Sequence, residues 1–255
     1  MARRAAIRPP ARAALPTAAP PDPAARVAAL DALRGIAIVA MVAYHFGFDL
    51  AWFRVTNADF YRDPIWITAR TLILSTFLLT AGASLALAQR SARGRARFWR
   101  HVGVIAACAL AVSAASYAAF PKSWIWFGVL HAIAASLVLA RPLAAHPRAA
   151  LVAGAAVIAA GNLWSAPAFD GRALGWIGFA TTRPFTEDYV PLFPWLGVLL
   201  VGVAAGHWLV RTDFRALAPL ARLPRSVAWL GRRSLLVYMV HQPLLIAAVA
   251  LAVPR

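Results

Sequence analysis

The chain has 255 residues, 62% of them hydrophobic and 14% charged, with a mean hydropathy of +0.67, far from the roughly half-apolar, quarter-charged make-up of soluble domains. A net charge of +17 would suit a nucleic-acid binder, but the basic residues lie in short segments between apolar stretches, as in the cytosolic loops of a membrane protein, so no nucleic-acid partner is expected. The single cysteine, Cys108, lies inside an apolar stretch, which excludes an intrachain disulfide and a cysteine-based metal site.

Residues 1–30 are rich in Ala, Pro and Arg and lack the continuous apolar core of a cleavable signal peptide. They read as a disordered cytosolic tail, followed by one transmembrane domain over 31–255. A helix needs about 20 predominantly apolar residues to cross the hydrocarbon layer. Seven stretches qualify: 33–53, 64–89, 102–120, 123–140, 149–166, 191–210 and 233–252. The expected fold is therefore an all-α polytopic bundle of about seven helices, in contact with membrane lipid and compatible with assembly into an oligomer.

The tail through Arg34 and the loops 90–101, 141–148 and 211–233 hold 19 of the 26 basic residues. The positive-inside rule then places the N-terminus in the cytosol and, after an odd number of spans, the C-terminus outside. The third and fifth spans are dominated by Ala, Gly and Ser, which suits close helix packing and a scaffold role. No loop is long enough for a separate soluble domain, so chemistry must sit within the bundle or at its mouths.

Ionisable side chains inside a span are costly unless they pair or face a polar cavity, which makes each of them a functional candidate. Arg34, at the cytosolic end of the first span, is either a snorkelling basic residue or an anion-binding group, and Asp31 lies at the i, i+3 spacing for an ion pair. His45 follows eleven residues later on the same helix face, about 16 Å along the axis. A buried neutral imidazole can act as a base, and Asp49 at i+4 could orient it; the alternative for His45 is a hydrogen bond that only packs helices. Arg70 and His131 come to about 9 and 11 Å below the outer surface, near the level of Asp49. An Asp49–Arg70 pair would explain two of these groups structurally. His241 follows in the last span, as a secondary candidate, beside Gln242 and the kinking Pro243. His207 reads as interfacial, His101 and His146 as loop residues, and one histidine per helix offers no ligand spacing, so no metal is expected. Trp124, Trp126, Trp176 and Trp195 fit an aromatic belt or a sugar-stacking platform.

The string "LDALRGIAIVAMVAYHF", with ten residues between Arg34 and His45, resembles the first helix of membrane-bound acyltransferases. The stretches "TFLLTAGASLAL", "FGVLHAIAASLVL", "DYVPLFPWLGVLLVGVAAG" and "LGRRSLLVYMVHQPLL" resemble, in the same order, the bacterial branch of the heparan-α-glucosaminide N-acetyltransferase catalytic-domain family, across about residues 27–250. The resemblance implies a multi-pass enzyme of the inner cell membrane that moves an acetyl or other acyl group from cytosolic acetyl-CoA or acyl-CoA to a sugar amine or hydroxyl, a small-molecule or glycan acceptor, at the outer face. It implies that Arg34 contacts the CoA phosphates and that His45 is the catalytic histidine. On this reading Asp49 orients His45, and His131 or Arg70 stabilises the oxyanion. The loop "RVTNADFYRD" carries no histidine, which excludes an acyl-histidine intermediate on it. The rival class is a proton-linked transporter or flippase in which His45, Asp49, Arg70 and His131 form a proton pathway; a third is a structural membrane protein.

Overall fold

The computed structural model describes residues 23–88 and 94–253. Among the described residues there is no strand, and a single isolated bridge joins Phe127 to Tyr189. The chain forms an all-α membrane bundle of helices α1 (Pro23–Trp52), α2 (Pro64–Ala88), α3 (Gly94–Ala119), α4 (Val129–Ala140), α5 (Pro147–Leu163), α6 (Arg172–Gly175), α7 (Leu192–Arg211), α8 (Arg225–Arg232) and α9 (Ser234–Ala252). Five of these, α1, α2, α3, α7 and α9, are long and apolar enough to cross a membrane. The other two expected spans are shorter: α4 has 12 residues and α5 has 17.

Three boundaries differ from expectation for physical reasons. Residues 23–30, expected in the tail, open α1; Ala29 and Leu30 are buried, so tertiary packing extends the helix beyond the span. Residues 1–22 of the expected tail lie outside the described residues. Helix α4 begins at Val129 rather than near 123, because "SWIWFG" is held outside the helix by α3 and by the long loop before α7: Ser116 Oγ of α3 accepts the Ile125 N–H at 3.0 Å and Thr186 of the loop donates to the Trp124 carbonyl at 2.8 Å. The expected loop 211–233 folds into a 3-10 segment, Arg215–Arg222, and α8.

Backbone contact holds the layers. Lipid tails are as apolar as leucine, so helices in a membrane associate through close packing instead of hydrophobic burial. A methyl group at Gly82 of α2 would overlap the Leu199 carbonyl of α7, and one at Gly202 of α7 would overlap the Leu79 carbonyl of α2. Gly154 of α5 and Gly197 of α7 meet in the same way. The fully enclosed Leu78, Leu199 and Val203 fill the space between these contacts. Helix α8 lies on the basic end of α1, where Gly35 faces the Val227 carbonyl and Gly231 faces the Asp31 carbonyl.

Gly202→Leu should therefore lower thermal stability in detergent, by roughly 1–3 kcal/mol or more from overpacking. Gly103→Ala is the control: nothing lies within 4 Å of a Cβ there, so stability should hold or rise, by up to about 1 kcal/mol from helix propensity.

Candidate active site

Arg34 projects from the basic end of α1. Its Nη1 donates to Asp31 Oδ1 at 2.8 Å and its Nη2 to Ser84 Oγ of α2 at 2.7 Å. Asp31 also has Arg232 of α8 at 3.9 Å, so one carboxylate is shared by two arginines. The Arg34 side chain is 19% exposed. A guanidinium has five N–H donors, and two are engaged here, which leaves capacity for a phosphate.

Eleven residues deeper, the His45 ring meets His241 of α9, with centroids 4.9 Å apart and the rings edge to face. His241 Nδ1 lies 2.7 Å from the Tyr238 carbonyl. A carbonyl only accepts, so Nδ1 carries the proton and Nε2 presents a lone pair. That Nε2 is buried and finds no hydrogen-bond partner among the described residues, and the same holds for Asp49 Oδ2 and Gln242 Oε1. Asp49, 2% exposed, accepts from Gln242 Nε2 at 2.7 Å through its other oxygen. Helices α1 and α9 thus enclose two imidazoles, a carboxylate and an amide, with three acceptor atoms left without donors. Leaving such groups unpaired in a dry site costs on the order of 1–3 kcal/mol each. A ligand bearing N–H or O–H groups would satisfy them.

Several sequence expectations change here. Asp49 bonds Gln242 of α9, and its hydrogen bond goes neither to His45 nor to Arg70. Arg70 acts instead on Asp188, in the loop before α7, together with Arg183. His131 is used locally: its Nδ1 accepts the Gly128 N–H at 3.3 Å, and its Nε2 lies 3.2 Å from Ser113 Oγ. Since Ser113 donates to the Ile125 carbonyl at 2.6 Å, the His131 Nε2–H donates to Ser113. Nδ1 thus serves the start of α4 and Nε2 ties it to α3, while the ring packs on Phe127. His207 lies 2.9 Å from the Ala144 carbonyl through Nε2, and His101 lies within α3 and not in a loop.

The end of the bundle opposite Arg34 is built by the 164–191 loop. The Asp170 carboxylate accepts from Thr181 Oγ1 at 2.7 Å and from the Thr181 N–H at 2.6 Å; these bonds hold its carboxyl below the usual range, the Thr181 hydroxyl contributing most. Tyr189 donates to the Gly175 carbonyl at 2.6 Å. Ser123 donates to Glu187. Asp188 Oδ2 accepts the Val129 N–H at 2.8 Å, satisfying a free donor of the first turn of α4. Burial raises the Asp188 carboxyl above the usual range, partly offset by that N–H and by the charges of Arg183 and Arg70. Beside it lies a cleft of about 730 Å³, lined among others by Trp52, Tyr61, Phe120, Lys122, Arg183 and Glu187. An aromatic path runs inward from it, from Tyr61 to Phe48 (6.2 Å), Phe60 (5.5 Å), Tyr44 (5.2 Å) and His45 (5.7 Å).

Sequence reasoning assigned no role to Gln242, Ser84, Arg183 or Asp188. A glutamine and a serine inside apolar helices carry a signal of their own, since each needs a partner in hydrocarbon. Nothing local links Asp188 to the site.

Because the folded-state pKa of Asp188 is raised, its contribution to stability is greatest below the ordinary value of 3.8 and is lost as pH rises through the folded value. Asp188→Asn keeps an acceptor for Val129. In thermal melts taken upward from about pH 4, it should show a smaller pH-dependent loss of stability than wild type.

No curated protein and no solved structure matches the chain significantly. The family model for heparan-alpha-glucosaminide N-acetyltransferase, catalytic, matches residues 26–243, a span that takes in Arg34, His45, Asp49, Gln242 and the α8 contact with α1. With that match across most of its length, on a helical membrane bundle, the chain belongs to the heparan-alpha-glucosaminide N-acetyltransferase catalytic family, a family of membrane acetyltransferase type.

Proposed function

We propose that the protein is an integral enzyme of the inner cell membrane that takes an acetyl or longer acyl group from cytosolic acyl-CoA and delivers it to an amine or hydroxyl acceptor, a sugar by resemblance, entering from the outer mouth. The observation that carries this reading is the pair of imidazoles His45 and His241 enclosed with unpaired acceptor atoms, His45 being on the same helix as the partly engaged Arg34. Arg34 binds a phosphate of CoA through the guanidinium donors that Asp31 and Ser84 leave free. The axial distance of about 16 Å from Arg34 to His45 is one that an extended pantetheine arm crosses, which brings the thioester to the histidines.

The acceptor donates its N–H or O–H toward the unpaired acceptors. His45 removes that proton as the acceptor lone pair attacks the thioester carbonyl. The tetrahedral intermediate collapses, the C–S bond breaks, and the CoA thiolate takes the proton back from the imidazolium. His241, with its tautomer fixed by the Tyr238 carbonyl, is a second imidazole able to hold the proton in transit. Asp49 and Gln242 position the pair. His131 supports the start of α4 through its bonds to Gly128 and Ser113, and Arg70 supplies positive charge near Asp188 and near Tyr44, the neighbour of His45.

The test is acetyl-CoA binding and thioester consumption by the purified protein in detergent. Arg34→Gln should weaken CoA binding by roughly 10–100-fold, the worth of charge-assisted hydrogen bonds. His45→Ala should bind CoA as wild type does but lose on the order of 10²–10⁴ in turnover. Wild type without measurable CoA affinity would overturn the enzyme reading and favour a proton-linked transporter. For the histidine pair, His241→Asn should lower turnover about tenfold or more with unchanged CoA affinity; full activity in that variant would remove His241 from the mechanism.

A further inference from the structure

The segment between α7 and α9 carries charge that acyl transfer does not use. Arg211, Arg215, Arg222, Arg225, Arg232 and Arg233 are all exposed. The segment is continuous at both ends with membrane-spanning helices: α7 ends at Arg211 and α9 starts at Ser234. Its two ends therefore start from the membrane surface.

Its folding sorts residues by face. On α8, Ala228 and Gly231 are buried, and Gly231 packs on the backbone of α1. Arg225, Trp229 and Arg232, spaced four and three apart, form an exposed stripe on the same helix. Arg233 covers the Trp229 ring at 4.2 Å. An arginine and tryptophan stripe of this kind suits the membrane interface, where the indole reaches the acyl boundary and guanidinium groups reach phosphates.

At the end of α7 the chain makes a second feature. Asp213 and Phe214 adopt positive φ, 51° and 57°, an uncommon and strained conformation for side-chain-bearing residues. Phe214 is 6% exposed, and its burial fixes the turn. The turn brings Arg211 and Arg215 onto one cleft of about 410 Å³, shared with Trp208, Thr212, Asp213 and Ala216. Two arginines against one acid leave this cleft net positive.

We propose that residues 211–233 form a docking surface for anionic phospholipid headgroups of the leaflet in which the segment lies, with the cleft between Arg211 and Arg215 receiving one headgroup phosphate. Arginine forks suit phosphate oxygens, and basic pockets beside spans on the positive side take anionic headgroups. A ligand that binds only the folded state stabilises it. Docking thereby fixes α8 on α1. This inference does not depend on acyl transfer.

The test is thermal unfolding of the full chain in nanodiscs of phosphatidylcholine alone and of phosphatidylcholine with phosphatidylglycerol at three to one. Wild type should melt about 4–8 °C higher with phosphatidylglycerol, and high salt should shrink the increment. Arg211→Gln with Arg215→Gln, and separately Arg222→Gln with Arg225→Gln, should each lose about half of it. The corresponding Lys pairs should keep most of it, which separates lost charge from lost folding. Native mass spectrometry should show fewer retained phosphatidylglycerol molecules on the Gln variants. Equal melting of wild type in both discs, or a full increment in both Gln variants, would overturn the proposal. So would a stabilisation by CoA in pure phosphatidylcholine discs that the same Gln pairs abolish, since the arginines would then serve a soluble phosphate.

Discussion

Close approach of helix backbones, permitted by glycine, is the constraint from which the rest of this bundle follows. In hydrocarbon there is no gain from hiding apolar side chains from lipid, so the helices are held by dispersion contacts at short range. Gly82 and Gly202 bring α2 and α7 into that range, Gly154 and Gly197 do the same for α5 and α7, and Gly35 and Gly231 lock α8 to α1. The last of these contacts involves α1, the helix that carries both Arg34 and His45.

The second constraint is that polar groups inside the bundle must find partners within it. Arg34 finds Asp31 and Ser84, Asp49 finds Gln242, and His131 is used at the start of α4. Against that background the unpaired Asp49 Oδ2, His241 Nε2 and Gln242 Oε1 stand out as a group. Buried polar atoms without partners are uncommon in native structures. Three of them lie between two adjacent helices, beside a second imidazole.

The two ends of the molecule answer different needs. The end opposite Arg34 folds a long loop against the start of α4 through Asp188, Thr186 and Glu187, beside an aromatic cleft that carries Lys122 and Arg183. The basic end keeps its arginines exposed and ties one of them, Arg232, to the carboxylate that holds Arg34.

The sequence by itself determined the membrane class, the helical fold and the Arg34 to His45 register, because hydropathy and the helical repeat are local properties of the chain. It also marked His241 as a polar residue out of place in a span. The partners were decided only by tertiary structure. Asp49 goes to Gln242, 193 residues away, Arg70 lies near Asp188 instead of pairing with Asp49, and His131 turns to Ser113. Residue depth along a helix gives the level of a side chain but not its azimuth toward a neighbour, and that azimuth is fixed by which glycines let which helices meet.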